Sequence, residues 1–164
     1  TLVLTSKPSV KKLKKLGFTN IEVLKSGIQK NIGDLEIKAH DAGFPYNYLW
    51  TFSFEIIQEG KVLYFESHVD KPSRIRQKGL KADCAILTTE EVKILGLLPL
   101  SNSSEATLKI LEELECKNIM IQGSDPSETK GLISYFLKIG EENLELFSNN
   151  GIKAYKEAGS EVTI

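Results

Sequence analysis

Four side chains in the middle of the chain could bind a metal ion or a small ligand: His40, Asp41, Glu66 and His68. Imidazole and carboxylate groups are common protein ligands of zinc and of iron. Glu66 and His68 are separated by one residue, so on a strand they would share a face and could hold one ion together. An ordinary ion pair at the end of a sheet fits the same spacing, and hydrogen-bonded loop positions are the alternative for His40 and Asp41.

Further polar positions have both a functional and a structural interpretation. Asp83 precedes the apolar segment 84–87 and is expected to cap it or to pair locally. Gly123, Ser124 and Asp125 precede a predicted helix, whose free backbone amides could bind an anion, although capping by Asp125 explains the same pattern. Lysines also cluster near the start of the chain, where they form either an anion-binding patch or a solvated helix face. They are Lys11, Lys12, Lys14 and Lys15.

Composition and charge favour a soluble globular protein, with neither a nucleic acid nor a membrane as partner. Of the 164 residues, 41% are hydrophobic and 26% are charged, and the formal net charge is -1. Cys84 and Cys116 each lie beside an apolar segment, which predicts buried, reduced thiols. We therefore expect one domain over residues 1–164, in the cytoplasm or, in a photosynthetic eukaryote, in the plastid stroma.

A β-hairpin at residues 51–66 is the clearest predicted element. Phe52, Phe54 and Ile56 alternate with polar residues, which is the period of a strand with two different faces. Gly60 supplies a turn residue that tolerates a positive φ. The returning segment 61–65 is apolar on both faces, which predicts a central strand. We therefore expect residues 51–57 and 61–66 to pair antiparallel.

Shorter patterns predict strands that alternate with helices on both sides of this hairpin. The predicted strands are residues 2–4, 21–24, 35–39, 84–87 and 118–121, with a closing hairpin of residues 152–155 and 161–164. The predicted helices begin after Ser6, at Pro72, after Thr88 or Thr89, after the cap residue Ser104, after Asp125 and at Glu141. The helix from Pro72 is predicted to end at Gly79, and the apolar face of the helix after Ser104 is predicted to be Thr107, Ile110, Leu111 and Leu114. This alternation indicates a layered α/β fold, and the antiparallel hairpin makes its sheet mixed.

The order of these segments resembles the second half of the metallo-β-lactamase fold. Residues 1–17 are similar to its crossover strand and helix, and residues 35–43 are similar to the strand and loop that carry its third histidine. Further along the chain, residues 83–87 are similar to an apolar strand that begins with an aspartate, and residues 119–123 are similar to the strand before its last histidine. The segment Tyr64-Phe65-Glu66-Ser67-His68 lies where the family often has Tyr-x-Gly-Asp. This segment resembles the Tyr-Tyr-Glu-Pro-His-like segment of uncharacterised metallo-β-lactamase-like proteins from cyanobacteria and plastids.

The resemblance implies a mixed β-sheet with a central antiparallel hairpin, covered by helices, and a hydrolase ancestry. The family's first-half motif, His-x-His-x-Asp-His, is absent, since the chain has two histidines. The position of the metal-bridging acid is Ser67, and that of the last histidine is Gly123 or Ser124. The matching positions therefore imply a degenerate site without a cofactor. Zinc or iron would bind only if ligands from outside this chain complete the site.

Three functions are compatible with these features. The first is a degenerate member of the fold, lacking its N-terminal half, that binds a small molecule or a protein partner. The second is a metal-dependent hydrolase whose first-half ligands lie outside this chain. The third is a structural or assembly module. The partner is unknown, with a missing N-terminal half or a second copy as the candidates. An open pocket around His40, Glu66 and His68 would favour the first function. A pocket filled by Phe44, Tyr46 or Trp50 would favour the third function.

Overall fold

The computed structural model describes residues 1–42, 46, 51–66, 68–123, 132–157 and 159–163. The strands are β1 Val3–Thr5, β2 Ile21–Val23, β3 Gln29–Ile32, β4 Leu35–Asp41, β5 Phe52–Gln58, β6 Lys61–Phe65, β7 Cys84–Leu87, β8 Val92–Ile94, β9 Leu98–Pro99, β10 Asn118–Ile121, β11 Leu137–Ile139 and β12 Lys153–Tyr155. The helices are α1 Val10–Lys15, α2 Pro72–Lys78, α3 Ser104–Glu113 and α4 Glu145–Asn149, with 3-10 turns at Lys7–Ser9 and Leu132–Phe136. None of the described helices combines the length and apolar character that a bilayer crossing requires.

Seven of the described strands form one large mixed sheet in the order β12-β10-β7-β6-β5-β4-β3. Its β3–β6 part is antiparallel, whereas β6, β7, β10 and β12 run parallel to one another. The predicted hairpin is confirmed, with Phe54 opposite Phe65 and a turn in which Glu59 and Gly60 have φ of 51° and 79°. β6 is the middle strand of the seven, as its two apolar faces predict.

Helices cover one face of this sheet and form the core with it. Tyr64, Ala85 and Ile119 lie opposite one another on neighbouring strands, and all three have 0% exposure. The apolar face of α3 packs in the same core through Thr107, Ile110, Leu111 and Leu114, as predicted, with Ile75 of α2. α2 ends at Gly79 in the left-handed conformation, also as predicted. The prediction of a layered α/β fold is therefore confirmed.

The opposite face of the sheet is also mainly apolar, and apart from the buried Ala39 and Cys84 its apolar side chains are half-buried, with Asp41 at one end. We call its half-buried apolar part the open sheet face. It consists of Leu35, Ile37, Phe52, Phe54, Ile56, Leu63, Phe65, Ile86 and Met120. The rings of Phe54 and Phe65 stack across β5 and β6 with centroids 6.4 Å apart. None of these nine side chains belongs to a buried core cluster of the described residues.

The first two strands stand apart from the large sheet. β1 and β2 pair in parallel and are connected through α1, and in the described part of the chain they form a sheet of two strands. All six strand residues are half-buried. A third small sheet has the order β11-β8-β9.

Four local predictions differ from the structure, the first three because the segment pairs with a strand elsewhere in the chain. Residues 90–95 do not form a helix, since β8 pairs with β9 and β11, and Leu95 has a positive φ of 54°. The closing hairpin does not form, because β12 pairs with β10 and residues 161–163 lie outside any strand. The described end of the helix predicted after Asp125 is a 3-10 turn followed by β11, and residues 124–131 lie outside the described residues. The helix predicted from Glu141 is shorter and begins at Glu145.

The N-cap of α3 is also shifted by one residue from its predicted position. Ser103 caps the helix, because its side chain accepts a hydrogen bond from the Ala106 amide at 3.3 Å. The buried Ser104 hydroxyl instead donates to the Thr89 carbonyl at 3.0 Å, which fixes the start of α3 against the segment after β7.

Candidate functional site

The candidate site lies just beyond the end of the central strand. Glu66 follows β6 directly, and its backbone amide donates to the carbonyl of Ile86 on β7 at 3.1 Å. Because β6 and β7 are parallel, their carboxyl ends meet at this edge, which is where ligands bind in many α/β proteins. The Glu66 side chain lies on the helix-covered face and is 1% exposed.

Glu66 and His68 come together, as their spacing predicts. The His68 amide donates to Glu66 Oε1 at 3.0 Å, and His68 Nδ1 lies 3.6 Å from the same oxygen. The other oxygen, Glu66 Oε2, is buried and has no hydrogen-bond partner among the described residues. Burying a carboxylate oxygen without a hydrogen bond is costly, so this atom makes the strand end a candidate ligand site.

An aromatic ring covers the His68 side of this pair. The centroids of the Tyr46 and His68 rings are 4.1 Å apart at an interplanar angle of 43°. Tyr46 is 8% exposed, packs with Ala42 and Val69, and donates its hydroxyl to the Leu100 carbonyl at 3.0 Å. Burial, and secondarily the Glu66 charge, raise the pKa of this phenol. Tyr46 thus occupies the space beside His68, whereas Phe44 and Trp50 lie outside the described residues.

A buried polar network adjoins the site on the α2 side. The Tyr64 hydroxyl donates to Asp70 Oδ2 at 2.6 Å, and Asp70 Oδ1 accepts from Arg74 Nη1 at 2.9 Å and from the Lys71 amide at 2.6 Å. Burial first, and then the Asp70 charge, raise the pKa of Tyr64 far above its usual range. The sequence offered one signal for this network, which is the four-residue spacing of Asp70 and Arg74.

His40 belongs to a different pair. His40 Nε2 lies 2.7 Å from Glu55 Oε2 on the neighbouring strand, and the two side chains are 16% and 13% exposed. Asp41, the next residue of β4, is exposed, and its amide donates to Ser26 Oγ at 3.2 Å. Alternation along β4 directs His40 and Asp41 to opposite faces, so they do not form one ligand pair. Glu55 was not among the predicted site residues, because the β4–β5 register that brings it to His40 cannot be read from spacing.

The remaining predicted positions are local in character or lie outside the described residues. Asp83 accepts hydrogen bonds from the Val62 amide at 2.9 Å and from Lys61 Nζ at 3.2 Å, which is the local pairing that its position predicts. The Val62 amide is the main cause of the lowered pKa of Asp83. Ser67 and Ser124 lie outside the described residues. Gly123, just after β10, has no side chain to offer an ion.

The described side chains do not fit a two-metal centre. Across residues 1–42, 46, 51–66, 68–123, 132–157 and 159–163, no three His, Cys, Asp or Glu side chains are placed to hold one ion. Glu66 and His68 provide two donors at most. A catalytic zinc site in proteins needs three protein ligands and an open position.

Comparisons with known proteins add evidence on the fold. No family model matches the sequence, and no curated protein matches it. The isothiocyanate hydrolase from Delia radicum gut bacteria is 17% identical with a TM-score of 0.66, over 98% of this chain and 66% of that one. A metallo hydrolase from the archaeon Ignicoccus hospitalis is 15% identical with a TM-score of 0.59, over 98% and 67%. The metallo-beta-lactamase fold protein YhfI from Bacillus subtilis is 12% identical with a TM-score of 0.55, over 73% and 50%.

These likenesses define the architecture of the chain and how much of each solved structure it spans. The chain spans half to two thirds of the length of the three solved structures. The sheet order, the central antiparallel hairpin and the helices on one face agree with the layered, mixed-sheet architecture expected from the sequence. The chain has the metallo-β-lactamase fold.

Proposed function

We propose that this chain is a degenerate metallo-β-lactamase-fold protein that binds a protein partner through its open sheet face and is not a metallohydrolase by itself. The observation that carries the proposal is the open sheet face, whose nine apolar side chains lie on one side of the sheet and are half-buried. Contiguous apolar surface of this extent on a soluble domain marks an interaction site.

The partner that we propose is a second β-sheet layer. Mixed and parallel sheets bury both faces in layered α/β proteins, and this sheet has helices on one face. Two parallel strands such as β1 and β2 are not stable as a separate sheet, so additional strands beside them would complete it. In the solved structures that match 98% of this chain, about a third of the residues lie outside the match, which is room for such a layer.

A second candidate function rests on one atom. Glu66 Oε2 is buried without a hydrogen-bond partner among the described residues, at the edge of the sheet where the family binds metal. If a partner layer brought histidines to this edge, those histidines and Glu66 Oε2 would bind one metal ion together. The chain would then be one half of a metal-dependent hydrolase.

A third candidate function, the structural module, is favoured by the packing of Tyr46 on His68. The two buried thiols support a reducing compartment, such as the cytoplasm or plastid stroma.

The test asks first whether the open sheet face is exposed apolar surface, and then which polypeptide binds to it. The chain alone is expected to bind a fluorescent dye specific for exposed apolar surface, and the Phe54→Lys and Leu63→Lys double variant is expected to bind much less. Tyr135→Lys is the matched control, because Tyr135 is 85% exposed and lies outside the open sheet face. If the natural gene encodes a polypeptide upstream of residue 1, that polypeptide, produced separately, should displace the dye and bind in equal amounts.

Two results would overturn the proposal. A monomeric chain that binds no dye would show that the open sheet face is not available surface. Dimerisation that the Phe54→Lys and Leu63→Lys variant abolishes, without binding of the upstream polypeptide, would assign the face to a second copy of this chain.

A further inference from the structure

The start of the chain carries a strong local surplus of positive charge. Residues 1–25 contain six lysines and one acid, whereas the rest of the chain contains 15 basic and 21 acidic residues. The one acid, Glu22, forms an ion pair with Lys30. The six lysines have no ion-pair partner among the described residues. They are Lys7, Lys11, Lys12, Lys14, Lys15 and Lys25. Ion pairs within the described part of the chain therefore do not neutralise the positive field in this region.

The same region contains a cleft of about 500 Å³. We call it the lysine cleft. Its polar lining is Lys7, Lys25, Ser26, Asp41 and Thr51, and its apolar lining is Val23, Leu24 and Phe52. Leu24 is 4% exposed, so the floor of the cleft is part of the packed protein. A volume of this size and a mixed lining are typical of sites for small ligands.

A second, shallower groove continues the lysine cleft along α1. The groove shares Lys7 and Val23 with the cleft and adds Val10, Lys11, Lys14 and Lys15. Two apolar side chains at the end of α1, Leu16 and Phe18, are 65% and 43% exposed beside these lysines. Positive charge and apolar surface thus occur together, both in the cleft and along the groove. A solvated lysine face alone would not account for the apolar floor.

One acid lines the lysine cleft, and it limits where an anion can lie. The Asp41 carboxylate is exposed, while the Asp41 amide is held by Ser26 Oγ at 3.2 Å. A phosphate group is therefore favoured at Lys7 and the groove, away from Asp41. The carboxylate remains available to accept a hydrogen bond from a hydroxyl of the ligand.

We propose that the lysine cleft binds a phosphate ester with an apolar body. Lysine ammonium groups are common phosphate ligands in proteins, and the apolar floor accommodates the organic part of the ester. A soluble phosphorylated compound and the headgroup of a phospholipid share this chemistry. The lysine cleft shares Phe52 with the open sheet face, so the proposal is tested on the chain without a partner.

Hexyl phosphate is a suitable soluble probe, with inorganic phosphate and hexanol as its two halves. In nuclear magnetic resonance titrations of the 164-residue chain, hexyl phosphate should shift the amides of Lys7, Leu24, Lys25 and Ser26 saturably, and more tightly than either half. The Lys7→Glu and Lys25→Glu double variant should bind about tenfold more weakly, because attraction is replaced by repulsion. Lys117→Glu with Lys153→Glu is the matched control, since both lysines are exposed and lie elsewhere.

Vesicles of phosphatidylcholine with and without phosphatidic acid identify the source of the phosphate ester. Binding to phosphatidic acid vesicles that the Lys7→Glu and Lys25→Glu variant loses supports the proposal with a lipid as ligand. Binding of hexyl phosphate without vesicle binding supports it with a soluble ligand. Three results would overturn it: no saturable binding of either probe, equal binding of hexyl phosphate and inorganic phosphate, or equal loss in the cleft and control variants.

Discussion

The His68 backbone amide donates a hydrogen bond to the Glu66 carboxylate at 3.0 Å. The spacing of these two residues predicted a pair of metal ligands, but in the structure the main chain of His68 already binds one carboxylate oxygen of Glu66. The same oxygen lies 3.6 Å from His68 Nδ1. Tyr46 packs on the imidazole from the other side. The pair is thus held by neighbouring protein groups, and one carboxylate oxygen is left for an additional partner.

We predict that the chain, purified without added metal, contains no stoichiometric zinc or iron. Two donors in Glu66 and His68 are too few for a closed or a catalytic site. Elemental analysis of the purified protein measures this directly. If an ion binds after supplementation, Glu66→Ala and His68→Ala should each remove it. One tightly bound ion per chain without supplementation would contradict the prediction.

Hydrolytic activity is expected to be absent from this chain even with zinc, manganese or iron added. The hydrolytic chemistry of the fold needs a metal-held water and a Lewis acid for the developing oxyanion, and Ser67 cannot bridge two cations as a carboxylate does. Lactam, thioester, lactone and phosphodiester substrates should therefore react at the background rate. Ser67→Asp should not restore turnover, because the other ligands remain missing. Metal-dependent turnover that Glu66→Ala abolishes would make the chain an enzyme with a rebuilt site.

Tyr64→Phe should lower the free energy of unfolding by about 1–3 kcal/mol, since it removes a buried hydrogen bond to a charged group. Tyr64 has 0% exposure, and Asp70 would lose its shortest side-chain donor. Urea denaturation followed by circular dichroism measures the difference. Tyr135→Phe is the control and should have almost no effect, because Tyr135 is 85% exposed. Equal stability of the two variants would show that Arg74 and Lys71 satisfy Asp70 without the phenol.

Asp83 should contribute a part of the stability that is lost in acid. Its pKa is lowered in the folded state by the Val62 amide and by Lys61, so its contribution is present above the unfolded pKa and disappears as pH falls through the folded pKa. Asp83→Asn keeps an acceptor for Val62 but does not titrate, so this variant should lose less stability between neutral pH and about pH 3. The difference should stay below about 1 kcal/mol, because the side chain is 35% exposed. Glu157→Gln, an exposed control, should leave the acid loss unchanged.

Both thiols should react slowly in the folded protein. Burial raises the pKa of Cys84, and it raises that of Cys116 to about 11. Thiolate is the reactive form, so an aromatic disulfide reagent at neutral pH should label the two residues far more slowly in buffer than in denaturant. Rapid labelling of Cys116 in a sample that is folded by circular dichroism would contradict its burial.

Local signals were enough to predict the central elements of the fold. The alternation of Phe52, Phe54 and Ile56 with the turn at Gly60 placed the hairpin, and Pro72 and Gly79 placed both ends of α2. In each case the residues that determine the element lie within it. The predicted strands at β7 and β10 were confirmed for the same reason, since both are short apolar runs.

Long-range pairing explains what the sequence could not reveal. The Val92–Ile94 segment has helix-forming neighbours, but its strand partners are β9 and β11, the latter some 40 residues away. The partner of His40 depends on the register of β4 against β5, and a shift by one residue would replace Glu55 with another side chain. Of the candidate site, sequence spacing therefore predicted the Glu66–His68 pair and missed the groups around it.

The mixed order of the large sheet also implies an order of folding. β5 and β6 are joined by the Glu59–Gly60 turn and β4 precedes them, so this meander closes only short loops. β7, β10 and β12 add in parallel across α2, α3 and α4, and such non-local pairing forms slowly. During synthesis the meander leaves the ribosome before β7, β10 and β12, with Tyr64 and Glu66 still in water. The buried carboxylate must therefore lose its hydration late, when α3 closes over a hairpin that is already formed.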